Sequence, residues 1–290
     1  MPTSKTIPTR QPLHTSKKKQ DSMLAVAITR KVEAGNFRAA VRLLCSEKTV
    51  APRNDDTFVA LKAKHPAAPS DRRQAVDFKR NVRFLPLQVS PEEVMKSLKT
   101  YPAGSAGGPD GLTAQHLLDL LAGAADDKLK TNLSDFVNIV LQGVLPIQER
   151  ETLFGGRPVA LQKKDGGVRP IAVGYTLSRL VAKCANAHVI KSRSEALQSI
   201  QVDVGVSGGA EAAIHAMRRL VSTMPDDHVI VKLDFAIAYN SVRRDAVLET
   251  VADKMPELYP FTHSSLACFP KLTYGPTSSS LPKVHNREAH

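Results

Sequence analysis

Hydrophobic spacing changes character once along this chain, at Arg157, and that change limits the fold more than any other feature. Before Arg157, apolar residues recur at helical intervals. Leu129, Leu133, Phe136, Val137, Val140 and Leu141 keep that spacing through four turns and stop at Gly143. After it, Pro158-Val159-Ala160-Leu161 and Val168-Arg169-Pro170-Ile171-Ala172-Val173 are short apolar runs on either side of Lys163-Lys164-Asp165-Gly166-Gly167. Two such runs joined through Asp-Gly-Gly predict a β-hairpin. Helices first and strands later give an α+β expectation.

Other elements follow from local chemistry. Leu24, Ala27 and Ile28, then Phe37, Ala40, Val41 and Leu44, predict two helices broken at Gly35-Asn36. Residues 51–73 contain Pro52, Pro66 and Pro69 and read as a linker around one weak helix. Ser90-Pro91-Glu92-Glu93 is a helix start, with Ser90 as cap, Pro91 at the first helical position and Glu93 completing a capping box. His116, Leu117, Leu120 and Leu121 share a helical face. Leu177, Leu180, Val181, Cys184 and His188 predict a helix behind the hairpin, and Ala213, Ile214, Met217 and Leu220 another over about 210–221. Val229-Ile230-Val231-Lys232-Leu233 reads as a strand, residues 243–251 as a helix, and periodicity is lost from Pro256.

The 40 Lys and Arg against 28 Asp and Glu are unevenly placed. Residues 1–20 carry +5 and residues 157–193 carry +7, whereas 21–156 carry +2 and 194–290 carry −2. Two local anion partners are implied, not a diffuse basic surface. No apolar run approaches the roughly 18–20 residues that span a bilayer, so no membrane partner is expected. The first 20 residues lack the apolar stretch of a secretory signal. Cys45, Cys184 and Cys268 lie far apart with no C-x-x-C pair, which favours a reducing, intracellular setting, nucleus or cytoplasm, over a disulfide scaffold or zinc knuckle.

Two places bear chemistry. Asp234 ends the 229–233 run, where a carboxylate needs a cation or hydrogen bonds if buried. It is either a metal-holding strand end or the cap of a turn. Lys163, Lys164 and Arg169 surround the Gly-rich turn, with Arg157 before it. Ammonium groups beside a guanidinium fork suit a triphosphate or a nucleic-acid backbone, and a solvated hairpin tip is the alternative. Lys17-Lys18-Lys19 is either a nucleic-acid or nuclear-localisation patch or a solvated part of a disordered tail. His116, His188 and His215 read as packing or surface residues, and the cysteines as buried thiols.

Four stretches in order carry a resemblance: Ser105-Ala106-Gly107-Gly108-Pro109-Asp110-Gly111 with His116-Leu117; Lys163 through Ile171; Gln201-Val202-Asp203-Val204-Gly205 with Gly208-Gly209-Ala210-Glu211; and Val231-Lys232-Leu233-Asp234-Phe235 through Ala238-Tyr239-Asn240-Ser241-Val242. Together, from about Val82 to Tyr274, they resemble the N-terminal part of a reverse transcriptase domain of non-LTR retrotransposon type, an RNA-directed DNA polymerase. The resemblance implies a disordered basic tail at 1–20 and a small helical region and linker at 21–81. Fingers and an incomplete right-hand palm would fill 82–275, before a disordered tail at 276–290.

It also implies roles. Asp234 and the carbonyl of Phe235 would hold two Mg2+ ions that align a primer hydroxyl and an incoming phosphate. Tyr239 would lie under the sugar and exclude a 2′-hydroxyl. Lys163 or Lys164, with Arg169, would clamp the triphosphate. Arg157, Gln201, Lys17, Lys18 and Lys19 would contact nucleic acid. Partners would be an RNA template, a DNA primer and dNTP.

The chain departs from the family pattern after Asp234. Asp245, Glu249, Asp253, Glu257 and Glu288 are isolated, and no aromatic-x-Asp-Asp turn follows. Asp203 stands where a Gly is more usual. The expectation is therefore a truncated, inactive polymerase fragment with marginal stability and self-association through its unfinished palm. One rival reading is a non-catalytic nucleic-acid-binding protein, and another is a degraded copy or incomplete gene product.

Overall fold

The computed structural model describes residues 17–45, 50–52, 54–64, 85–122, 126–163, 165–198, 201–202, 205–233, 241–267, 272–274 and 279–280. The fold mixes helix and strand. Helix α1 (Lys17–Glu33) and α2 (Phe37–Leu44) meet at Gly35, whose φ is 67°, and Asn36 caps α2 by accepting from the Ala39 N–H at 3.1 Å. The expected break is in place. The Lys17-Lys18-Lys19 run is not tail but the first turn of α1, because Lys, Gln, Met and Ala extend the helix backward.

Helix α3 (Asp55–Ala63) begins at Asn54, which accepts from the Thr57 N–H at 2.9 Å. Its neighbourhood is not a linker. Ala51 and Leu61 are buried with Ala160 of the hairpin, and Phe58, Val168 and Leu272 close a small second core. Three prolines suggested a linker, yet two apolar residues on one helix face were enough to dock it.

The main core lies between α4 (Pro91–Lys99), α5 (Ala114–Leu121), α6 (Asp126–Leu141), α8 (Thr176–Gln198) and α10 (Arg244–Lys254). Val94, Leu98, Val137, Val140, Leu141, Leu180 and Val181 are fully buried there. The capping box predicted for α4 is formed by Ser90 and Glu93. Residues before it run extended and are held by α6: Asn138 accepts from the Val89 N–H at 2.9 Å, and Ser134 and Asn138 both donate to Val89 O. Gly143, at φ 69°, ends the α6 region with its α-carbon against the Pro260 carbonyl.

The expected hairpin is present. Strand β1 (Gly156–Gln162) pairs antiparallel with β2 (Val168–Gly174), with Arg157 opposite Val173 and Leu161 opposite Arg169. Val50 bridges to Leu161 and Leu272 to Gly156, both on the β1 edge. A second small pair joins β3 (Thr273–Tyr274) to β4 (Ser279–Ser280), so two residues of the expected C-terminal tail are paired.

Three elements depart from expectation. Helix α7 (Ile147–Leu153) and, after a 3₁₀ turn at Pro256–Leu258, α11 (Tyr259–Ala267) form where no periodicity was read. Pro256 and Pro260 sit at helix starts, where the missing N–H costs nothing. Helix α9 (Gly209–Thr223) forms as expected, but its stripe faces outward.

The predicted strand 229–233 is not a strand. It is extended and exposed, with Val229 82% accessible. A strand needs a pairing partner and a face to cover, and among the described residues it has neither. The palm sheet expected around it is therefore not assembled there.

Candidate nucleic-acid interface

The hairpin sorts its side chains by the two-residue strand period. Gly156, Pro158 and Ala160 are buried on one face. Arg157, Val159, Leu161 and Lys163 fall on the other, together with Arg169, Ile171 and Val173 across the ladder. Arg157, Lys163 and Arg169 are exposed. Asp165 does not cancel them, because its carboxylate is turned back to accept from the Gly167 N–H at 3.0 Å. Gly166, at φ 79°, makes the reversal, and the Lys163 N–H continues the ladder to Gly167 O at 2.8 Å. Lys163 and Arg169 are diagonal cross-strand neighbours, about 7–8 Å apart at the backbone. Arg157 stands four strand positions, roughly 13 Å, further along. That span matches two phosphates of a backbone better than one triphosphate.

Beside the hairpin lies a group of residues that sequence reasoning did not single out. The loop of residues 104–112 lies against the junction of β2 and α8. Gly108 is buried there, and a Cβ on it would come 2.7 Å from the Tyr175 Cα. Thr176 donates to Leu112 O at 2.5 Å, and Arg179 donates from Nη2 to Ala106 O at 2.6 Å and to Thr176 Oγ1 at 2.9 Å. Arg179 and Lys183 also cover the Tyr101 ring, at 5.8 and 4.7 Å from its centroid, and Lys183 donates to Thr100 Oγ1 at 2.9 Å. Burial pushes the Tyr101 hydroxyl up to about 12, with Arg179 opposing that rise. The available signal was the i, i+4 spacing of two cations beside the apolar Leu180, Val181 and Cys184.

The remaining expected residues fall in different places. Gln201 is half-buried ahead of α9. Lys17, Lys18 and Lys19 are in the first turn of α1. Lys164, Asp234, Phe235 and Tyr239 lie outside the described residues, as do residues 1–16 of the expected tail. The expected Mg2+ ligands are therefore among residues not described. Among the described residues, no group of three or more His, Cys, Asp or Glu is placed to hold a metal.

The histidines behave as packing and surface groups. His116 closes a capping box with Thr113, His188 lies 3.4 Å from Glu257, and His215 is exposed 3.8 Å from Glu211. Burial raises the Cys184 thiol, which suits a packed side chain. Among the described residues no helix is long and apolar enough to cross a membrane. Compared with protein-family models and with curated proteins, the chain matches none.

Proposed function

We propose that this chain is a reverse-transcriptase unit of non-LTR retrotransposon type which, in these 290 residues, binds nucleic acid through its hairpin and does not carry out templated synthesis. The observation that carries the binding half is the exposed face shared by Arg157, Lys163 and Arg169. Three cations fixed on a two-stranded support, with Asp165 turned into its own turn, attract a polyanion and give it a track. The loop of residues 104–112, tied to α8 by Thr176 and Arg179, sets the flank of that track.

The polymerase half rests on motif order. In it, Asp234 and Phe235 hold Mg2+, Tyr239 selects deoxynucleotides, and Lys163 or Lys164 with Arg169 meets the dNTP. RNA template and DNA primer are the macromolecular partners. Synthesis is not assigned because two-metal transfer needs further carboxylates, and no aromatic-x-Asp-Asp turn follows Asp234 in the sequence. The single favoured alternative, a binding protein with no polymerase ancestry in its function, rests on the same hairpin.

Primer extension separates them. The 290-residue chain, given a primed RNA template, dNTP and Mg2+, binds the duplex without extending it, and Asp234→Asn binds as the parent does. Extension that Asp234→Asn abolishes overturns the claim of inactivity. Absence of binding overturns the whole reading.

A further inference from the structure

Helix α9 carries an apolar stripe that nothing in its surroundings uses. Ile214, Met217, Leu220 and Val221 are 55%, 42%, 51% and 54% exposed. Ala213, Ile214, Met217, Arg218 and Val221 line a shallow groove of about 480 Å³ along it. Only the helix start is packed: Gly209 is buried with its α-carbon against the Val202 carbonyl. Four apolar positions, Ala210, Ile214, Met217 and Val221, follow the 4-3-4 spacing of a two-heptad seam.

The flanks of that seam are asymmetric. Ala213 and Leu220 border one side, and Glu211 and Arg218 border the other. We infer that α9 is the contact through which two copies of this chain pair, helix against helix and antiparallel. Turning a second copy end for end about the point between Ile214 and Met217 brings Ile214 to Met217 of the partner and Ala210 to its Val221, small against large. The same rotation places Ala213 beside Leu220 of the partner and Glu211 beside Arg218 of the partner, and the two-fold axis repeats both pairs. A parallel arrangement makes no Glu–Arg pair across the seam. The charges therefore choose orientation, and the apolar stripe provides attraction.

Glu211 lies 3.8 Å from His215 on its own helix, an exposed contact that leaves its carboxylate free to turn to Arg218 of the partner. The contact is small. A 15-residue helix is roughly 22 Å long, so the dimer is weak and depends on concentration. This inference is independent of the nucleic-acid reading and fails or stands without it.

Sedimentation equilibrium of the full chain tests it. The mass is expected to rise from 31.5 kDa towards twice that value as concentration increases, and to stop at two copies. Met217→Glu is expected to stay monomeric with an unchanged helical circular-dichroism signal, because its side chain is exposed. Glu211→Arg alone and Arg218→Glu alone are each expected to be monomeric. Their equal mixture is expected to form a heterodimer, and the double variant E211R/R218E to recover the homodimer.

A wild-type chain that stays monomeric throughout, or that grows beyond two copies, overturns the inference. So does a double variant that remains monomeric. If Val231→Lys abolishes association while Met217→Glu does not, residues 229–233 form the contact and the assignment to α9 is wrong.

Discussion

Arg179 donates from Nη2 to the carbonyl of Ala106 at 2.6 Å, joining the first turns of α8 to a Gly-rich loop 73 positions earlier. The Arg179 Nε is buried without a partner among the described residues, so this side chain is held by its terminal nitrogens alone. The bond fixes the loop of residues 104–112 beside the base of the hairpin, where a nucleic-acid backbone crossing Arg157 would meet it.

Removing that bond loosens the loop before it unfolds the chain. Arg179→Met keeps the apolar stem and loses the donors, which costs on the order of 1–2 kcal/mol for partly exposed hydrogen bonds of a charged group. Chemical denaturation measures the loss, and hydrogen exchange is expected to rise first at Ala106, Gly107 and Gly108. Equal exchange in the variant and parent would show that the loop is held by Thr176 alone.

Tyr101 is expected to titrate apart from the other four tyrosines. Its hydroxyl is shifted to about 12 by burial, so the folded chain holds that proton more firmly than the unfolded chain, where the value is about 10. The resulting stabilisation is complete below about pH 10 and is lost as pH rises towards 12. An ultraviolet phenolate titration should show a late step that Tyr101→Phe removes. A Tyr101→Phe curve superimposable on the parent would refute the assignment.

Asp245 shows the opposite sign. The Arg243 guanidinium hydrogen-bonds it at 2.6 and 3.1 Å and holds its carboxyl at about 2. That contribution is present above the unfolded value near 4 and is lost as pH falls through about 2. Carboxyl-carbon NMR follows it directly, and Arg243→Gln is expected to move the transition back towards the ordinary aspartate range.

Gly143 tests how tightly α6 and α11 are joined. Its φ of 69° disfavours any side chain, and a Cβ there would press on the Pro260 carbonyl. Gly143→Ala is expected to destabilise by roughly 2–4 kcal/mol, summing left-handed strain and overpacking. A loss below about 1 kcal/mol in denaturant titration would mean that the contact yields freely.

Local chemistry made much of the fold legible in advance. The Ser90–Glu93 capping box, the Gly35-Asn36 break, the α6 stripe and the Asp-Gly-Gly hairpin each depend on residues within a few positions of one another, and each formed. What depended on distant partners was not legible. Val229 to Leu233 has strand composition, yet strand formation requires a neighbour that periodicity does not reveal. Helices α7 and α11 carry few strong helix formers and are stabilised by packing, with Phe154 and Phe261 meeting edge to face at 6.0 Å.

The site divides in the same way. The basic turn was readable because Lys163, Gly166 and Arg169 are adjacent, whereas the link from Arg179 to Ala106 spans 73 residues and carries no local mark. The roles expected for Asp234, Phe235 and Tyr239 rest on motif resemblance.

The central claim is that the hairpin face is an electrostatic track for nucleic acid. The most direct measurement is affinity for a primed RNA template across a range of salt concentrations, for the parent and for the triple variant R157A/K163A/R169A. Each phosphate neutralised contributes about 0.7–0.9 to the slope of log affinity against log salt. The account predicts a steep negative slope for the parent and a slope shallower by about 2–3 for the variant. A parent affinity indifferent to salt, or a variant with the parent's slope, would contradict it.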